Sequence, residues 1–195
     1  MIRDFEYIKN RVEENSVLIV GGGPDANLLD VYQYQDYDFI VRLNNFKYAN
    51  DCKRTDIWYS YFGRNIKAME DRVKEEDIPF IVCKYPVNKE FAWVHEFRKE
   101  AWKTMDAVVA IPNEIQSFQT NNPFGISPTC GFSAIFTFLA MNPGKLTIVG
   151  FDFFESGVHN LDENWDGSGE HTTQLERKIV EAMVAEEKLE WVKHQ

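Results

Sequence analysis

Apolar residues fall along the chain in two alternating patterns, short unbroken runs and longer stripes that recur every three or four residues. The short runs are typical of strands that are buried on both faces of a parallel sheet. They predict strands over residues 16–20, 39–43, 56–62, 80–83, 107–111 and 146–149.

The stripes with a helical period lie between these runs. They predict helices over residues 2–14, 66–76, 89–103 and 173–192, a further helix after Thr129, and an irregular or helical segment over residues 26–32. Strands that alternate with helices predict an α/β fold. We expect a single Rossmann-like domain over residues 1–195, with a mostly parallel sheet and helices on both faces.

The stretch of residues 127–154 has the most consistent pattern. Its helical face consists of Phe132, Ile135, Phe136 and Leu139. Thr129 occupies the N-cap position, and Asn142-Pro143-Gly144 ends the helix. The strand that follows leads to Asp152, at the edge where open α/β sheets bind ligands. The helix amino end with the hydroxyls of Ser127 and Thr129 suits a phosphate, although an ordinary capped helix explains the pattern equally well.

Composition narrows the classes of protein that fit this pattern. With 195 residues the chain buries a sizeable core without disulfides. Cys52, Cys83 and Cys130 lack metal-binding spacing, and their odd number favours free thiols in a reducing, cytoplasmic compartment. No apolar run approaches the roughly 18 residues that cross a bilayer, so no membrane insertion is predicted. The net charge of −10 disfavours nucleic acid as a partner. The pattern indicates no oligomeric state.

A glycine-rich turn follows the first predicted buried strand. Gly21, Gly23 and Ala26 fit the GxGxx(G/A) pattern of dinucleotide sites, with Gly22 at its variable position. An NAD site requires an acidic residue at the end of the next strand, which is instead formed by Arg42, Leu43, Asn44 and Asn45. An NADP-dependent oxidoreductase stays an alternative, and Arg42 is interpreted as structural.

Polar residues near the predicted strand and helix ends supply the candidate chemistry. The amide of Asn44, with Asn45 beside it, suits a neutral nucleobase or a ribose, and a turn-forming role explains it equally well. His171 precedes the last predicted helix, whose dipole favours the neutral imidazole that a general base must have. His159 in the same loop is the competing candidate.

Two other motifs are interpreted as structural. Thr173 and Glu176 have the spacing of a capping box at the start of the last helix. Asp36 and Asp38 have the DxD spacing of a divalent-metal site, but they precede a strand and therefore lie at the opposite end of the sheet. We interpret them as a solvated turn, and neither a metal nor a cofactor is predicted.

Three segments, taken in order, resemble motifs of the sialyltransferase families, both the animal-type family and the bacterial lipooligosaccharide family. VLIVGGGP with DFIVRLNNF resembles the large sialylmotif, and SPTCGFSAIFTFLAMNPGKLTIVGFDFF resembles the small one. His171 to Glu176 matches the H-x4-E pattern, so the resemblance implies that His171 is the catalytic base. It implies that the nucleotide is held by Gly21, Gly22, Gly23, Asn44, Ser127, Thr129 and Gly131. Asp152, His159 and Asn45 are further candidates.

The resemblance implies a GT-A-like variant of the Rossmann-like domain and a metal-independent, inverting transferase. Such an enzyme moves a sugar from a nucleotide donor, here a CMP-sugar, to a hydroxyl of a glycan or another acceptor. One alternative is a glycosyltransferase with a different nucleotide-sugar donor, acting on a modified nucleic-acid base. The others are the NADP-dependent oxidoreductase and a non-catalytic nucleotide-binding module.

Overall fold

The computed structural model of the chain describes residues 2–44, 46, 52–60, 78–84, 107–112, 114–115, 128–155 and 173–194. In this part of the chain the strands are β1 (Ile2–Arg3), β2 (Ser16–Val20), β3 (Phe39–Leu43), β4 (Ile57–Ser60), β5 (Phe80–Cys83), β6 (Ala107–Ala110), β7 (Lys145–Val149) and β8 (Glu190–Val192). The helices are α1 (Phe5–Val12), α2 (Val31–Gln35), α3 (Cys130–Leu139) and α4 (Thr173–Ala185), with a 3₁₀ turn at Pro24–Asn27.

The eight strands form one sheet in the order β1-β6-β5-β4-β3-β2-β7-β8, and every neighbouring pair is parallel. From β2 the chain adds strands in one direction, and it then crosses back to place β7 on the other side of β2. The carboxyl ends of β2 and β7 therefore mark the topological switch point, where open α/β sheets bind ligands. The predicted α/β fold with a parallel sheet is confirmed.

Each face of the sheet carries its own apolar core. Helices α1, α3 and α4 pack on one face, where Ile8, Phe138 and Val180 are fully buried against β2, β4 and β7. The 3₁₀ turn and α2 cover the other face, where Ala26 and Tyr34 contact residues from β2 and β3. Helices thus cover both faces, as the alternation of elements predicts.

The two edge strands, β1 and β8, were not predicted from the sequence. Residues 2–3 form β1, which pairs with β6, so the first helix begins only at Phe5 after an Asp4 cap. The last helix was predicted to reach residue 192, but α4 ends at Ala185 and residues 190–192 pair with β7. A two- or three-residue strand carries too little local pattern to be separated from an adjoining helix. The helices predicted over residues 66–76 and 89–103 lie outside the described residues.

Candidate functional site

The strand register aligns the carboxyl edge of the sheet around the switch point. Val149, Val20 and Arg42 are neighbours across β7, β2 and β3. The residues that follow these strands therefore leave the sheet together. Farther along the same edge, the N–H group of Lys84 donates to the carbonyl oxygen of Ser60 at 2.9 Å. The ends of five strands thus share one edge.

The glycine turn packs directly against the backbone after β7. The N–H groups of Gly21 and Gly23 donate to the carbonyl oxygens of Val149 and Gly150, each at 2.8 Å. A Cβ at Gly21 would lie 2.3 Å from the Gly150 oxygen, so only glycine permits this approach. Two of the three glycine N–H groups are therefore used within the fold. That of Gly22 has no partner within the described residues, which leaves it as the donor that this turn offers to a ligand.

The ring of Phe151 connects the glycine turn with the start of α3. A Cβ at Gly21 would lie 3.0 Å from the ring atom Cδ2, and a Cβ at Gly131 would lie 2.8 Å from Cε1. The same position at Gly131 is 3.5 Å from Leu43 Cδ1, in the residue before Asn44. The glycine turn, the first turn of α3 and the end of β3 therefore meet at one place on the carboxyl edge.

Thr129 caps α3 as predicted. Its Oγ1 accepts from the N–H group of Phe132 at 3.1 Å. Its own N–H group and hydroxyl donate to the two carboxylate oxygens of Glu176, each at 2.7 Å. The buried carboxylate of Glu176, which was predicted to form a capping box with Thr173, thus contacts the cap of a different helix, a contact that the sequence did not predict. Of the next N–H groups, that of Gly131 has no partner within the described residues and is available to an anion.

Lys84 is a site residue that sequence reasoning missed. It follows β5, is only 9% exposed, and donates from Nζ to the carbonyl oxygen of Pro128 at 2.7 Å. Burial lowers the pKa of the ammonium group, while Cys130 and Glu176 act in the opposite direction. The one local indication of this position in the sequence is that a lysine directly follows the apolar run FIVC.

A pH titration tests the burial of Lys84. Its pKa is below the 10.5 of an exposed lysine, so between the two values the unfolded chain holds more protons than the native one. The free energy of unfolding of the wild type should therefore rise, relative to that of Lys84→Met, as the pH increases towards 10.5. Urea denaturation of both proteins across this range measures the difference. A difference that does not change with pH contradicts the burial of the charge.

Asn44 is positioned with its amide donors available. The residue lies in the left-handed region (φ 49°), and its N–H group donates to the carbonyl oxygen of Tyr59 at 3.0 Å. Its Oδ1 accepts from Ser60 Oγ at 3.2 Å, whereas Nδ2 has no partner within the described residues. Asn44 thus stabilises the turn through its N–H group and Oδ1, and its Nδ2 is available to donate to a ligand. Arg42 is fully buried and bonds to the carbonyl oxygen of Cys52 at 2.8 Å, which confirms the structural interpretation.

Asp152 lies in a strained turn beside the glycine turn. Phe153 and Phe154 have positive φ angles of 51° and 64°, and Asp152 Oδ1 accepts from the N–H group of Phe154 at 3.1 Å. A Cβ at Gly23 would lie 3.0 Å from that same oxygen. Non-glycine residues with positive φ are concentrated at functional sites. The carboxylate of Asp152 therefore belongs to the carboxyl edge at the switch point.

The DxD motif lies at the other end of the sheet, as predicted. Asp38 is exposed and accepts from the N–H group and the hydroxyl of Ser16, at 2.9 and 2.7 Å. These hydrogen bonds lower the pKa of Asp38, so its charge stabilises the start of β2. Across the described ranges, no group of three or more His, Cys, Asp or Glu side chains is arranged to hold a metal ion.

Four of the predicted site residues lie outside the described residues, namely Asn45, Ser127, His159 and His171. His194 is exposed and lies near Asp25, in the 3₁₀ turn that follows the glycine turn. None of the helices in the described part of the chain combines the length and the apolar character needed to cross a membrane.

Several solved structures that are similar to this fold are sialyltransferases. A mammalian sialyltransferase in complex with Gal-beta-1-3GalNAc-ortho-nitrophenol superposes with a TM-score of 0.63 at 15% identity, over 96% of this chain and 72% of the other. The sialyltransferase CstII from Campylobacter jejuni, bound to the substrate analogue CMP-3FNeuAc, gives 0.58 at 16% identity, over 91% and 79% of the two chains. An alpha-2,3-sialyltransferase from the same organism gives 0.59 at 17% identity, over 92% and 74%.

At these low sequence identities, the similarities show that the fold is shared. No protein-family model matches the chain, and no curated protein matches its sequence. The resemblance predicted from the sequence motifs is confirmed at the level of the fold, because nearly the whole chain superposes on sialyltransferase structures.

Proposed function

We propose that the chain is a glycosyltransferase of the sialyltransferase type, which moves a sugar from a CMP-activated donor to an acceptor hydroxyl without a metal ion. The observation that carries the proposal is the meeting of the glycine turn, the start of α3 and the end of β3 around Phe151. These are the segments in which the sequence resembles the large and small sialylmotifs. The fold likeness to sialyltransferases supports the same assignment.

Available hydrogen-bond donors support a phosphate at this place. The N–H groups of Gly22 and Gly131 and the side-chain Nδ2 of Asn44 have no partner within the described residues. The amino end of α3 adds the positive end of a helix dipole. Together these groups suit the phosphate that leaves when the bond between the sugar and the nucleotide breaks, because donors placed in advance stabilise charge as it develops.

Proton transfer from the acceptor is assigned to His171. In this mechanism the neutral imidazole accepts the proton of the acceptor hydroxyl while the hydroxyl oxygen attacks the anomeric carbon of the donor sugar. The bond from that carbon to the phosphate oxygen breaks, and CMP leaves. His171 precedes α4 by two residues, and Glu176 in the first turn of α4 contacts the cap of α3. That contact brings the start of α4 to the phosphate end of the site, which supports the assignment.

A thermal-shift panel tests the donor. CMP at about 100 times its dissociation constant should stabilise the protein by roughly 2.7 kcal/mol, while UDP, GDP and NADP at the same concentration should give little change. A shift with NADP alone assigns the chain to the oxidoreductases, and a shift with UDP or GDP assigns it another donor. Incubation with CMP-activated sialic acid and a panel of glycan acceptors should then release CMP. Binding of CMP without release in any acceptor mixture favours a non-catalytic module.

A further inference from the structure

The peptide group that joins Pro128 to Thr129 is contacted by a charged side chain at each end. The carbonyl oxygen of Pro128 accepts from Lys84 Nζ at 2.7 Å, and the N–H group of Thr129 donates to Glu176 Oε1 at 2.7 Å. The positive end of the peptide dipole thus faces the carboxylate, and its negative end faces the ammonium group. We call these four residues the peptide clamp.

Both charged side chains of the peptide clamp are withdrawn from water. Lys84 is 9% exposed and Glu176 is fully buried. A buried charge is costly when it stands alone, and apolar residues of similar volume often stabilise a fold as well as a buried pair does. Stability is therefore a weak reason for two charges at this place. Orientation of the peptide group between them is a stronger one.

The peptide clamp joins three elements that are distant in sequence. Lys84 ends β5, Thr129 caps α3, and Glu176 lies in the first turn of α4. The two contacts span 44 and 47 residues. The direction of α3 at its amino end, and with it the direction of the Gly131 N–H group, therefore depends on both charged side chains.

We propose that Lys84 and Glu176 act together as positioning residues, which fix the amino end of α3 so that its free N–H group meets the phosphate of the nucleotide donor. This role rests on the function proposed above. Neither side chain needs to touch the nucleotide. Rotation of the Pro128–Thr129 peptide group would turn the following N–H groups away, and a misplacement of about 1 Å at a site can cost about 10²-fold in activity.

A double-mutant cycle tests the proposal. Lys84→Met removes the ammonium group and keeps the apolar stem, whereas Glu176→Gln keeps the shape and an acceptor for the Thr129 N–H group. We expect the dissociation constant for CMP to rise about 10-fold in Lys84→Met and about 3-fold in Glu176→Gln. The increase in the dissociation constant of the double variant should be smaller than the product of the two single increases, because both side chains orient the same peptide group. Calorimetric titration with CMP measures all four proteins.

An exposed ion pair in the turn after α4 provides the matched control. Lys188 and Glu186 form a pair whose side chains are 59% and 60% exposed, and Lys188→Met and Glu186→Gln should leave CMP binding within about 2-fold of the wild type. The positioning role is overturned if the clamp variants lose stability but bind CMP with the affinity of the wild type. It is also overturned if the increase in the dissociation constant of the double variant equals the product of the two single increases. If Lys84→Met does not fold, unchanged binding in Glu176→Gln is sufficient to overturn it. A wild type that does not bind CMP contradicts the proposed function instead.

Discussion

Replacing His171 by asparagine is expected to lower kcat by about 10³-fold, within the range of about 10²- to 10⁴-fold that a general base supplies. The acceptor hydroxyl then has no group to accept its proton as it attacks the anomeric carbon. The dissociation constant for CMP should change by less than about 2-fold, because the groups proposed to hold the phosphate are backbone donors of the glycine turn and α3. CMP release from CMP-activated sialic acid measures kcat, and calorimetric titration measures CMP binding.

Two histidines provide the comparison for this variant. His194 is 74% exposed and lies near Asp25, so His194→Asn should have wild-type kinetics. His159→Asn decides between the two candidate bases, since a large loss of kcat there with normal activity in His171→Asn reassigns the role. Wild-type turnover in both His159→Asn and His171→Asn would show that neither histidine is the general base. An equal loss of kcat and CMP affinity in His171→Asn would instead indicate damage to the nucleotide site.

The part of the fold that the sequence predicts best is the part with the strongest local signals. The apolar runs of β2, β3 and β5 have the predicted bounds, and Thr129 caps α3 where a hydroxyl residue precedes an apolar helical face. In each case the residues that decide the structure are close together in sequence. An unbroken apolar run also indicates directly that a strand is buried on both faces of a parallel sheet.

The contacts that the sequence did not predict are all distant in sequence. Glu176 has the spacing of a local capping box, yet its carboxylate bonds Thr129, 47 residues away. Lys84 follows a strand and carries no motif, and its partner Pro128 is 44 residues away. The glycine turn has a phosphate-binding pattern, but two of its N–H groups bond the strand end at Val149 and Gly150. Local patterns do not record which elements meet, so partners of this kind require the folded chain.

Replacing Gly21 by alanine is expected to cost about 3 kcal/mol of stability, which is about 6 to 12 °C in Tm for a chain of this size. The new Cβ would lie 2.3 Å from the carbonyl oxygen of Gly150 and 2.9 Å from its carbon. Relief requires a shift of backbone, because no flexible side chain is among these two atoms. Such a shift stretches the 2.8 Å hydrogen bond from Gly21 to Val149, between the ends of two interior strands of the sheet. Urea and thermal denaturation measure the loss.

Gly131→Ala is the matched comparison, since there the new Cβ meets the side chain of Phe151 at 2.8 Å rather than backbone. Alanine also stabilises a helix by about 1 kcal/mol relative to glycine, so the free energy of unfolding should stay within about 1 kcal/mol of the wild type. Displacement of the ring should nevertheless weaken CMP binding by about 10-fold, because Phe151 also contacts the glycine turn. Gly21→Ala should therefore lower mainly the stability and Gly131→Ala mainly the affinity for CMP, although both glycines lie beside the ring of Phe151. A stable Gly21→Ala protein contradicts the close approach of β2 to the segment after β7, and with it the geometry on which the proposed site depends.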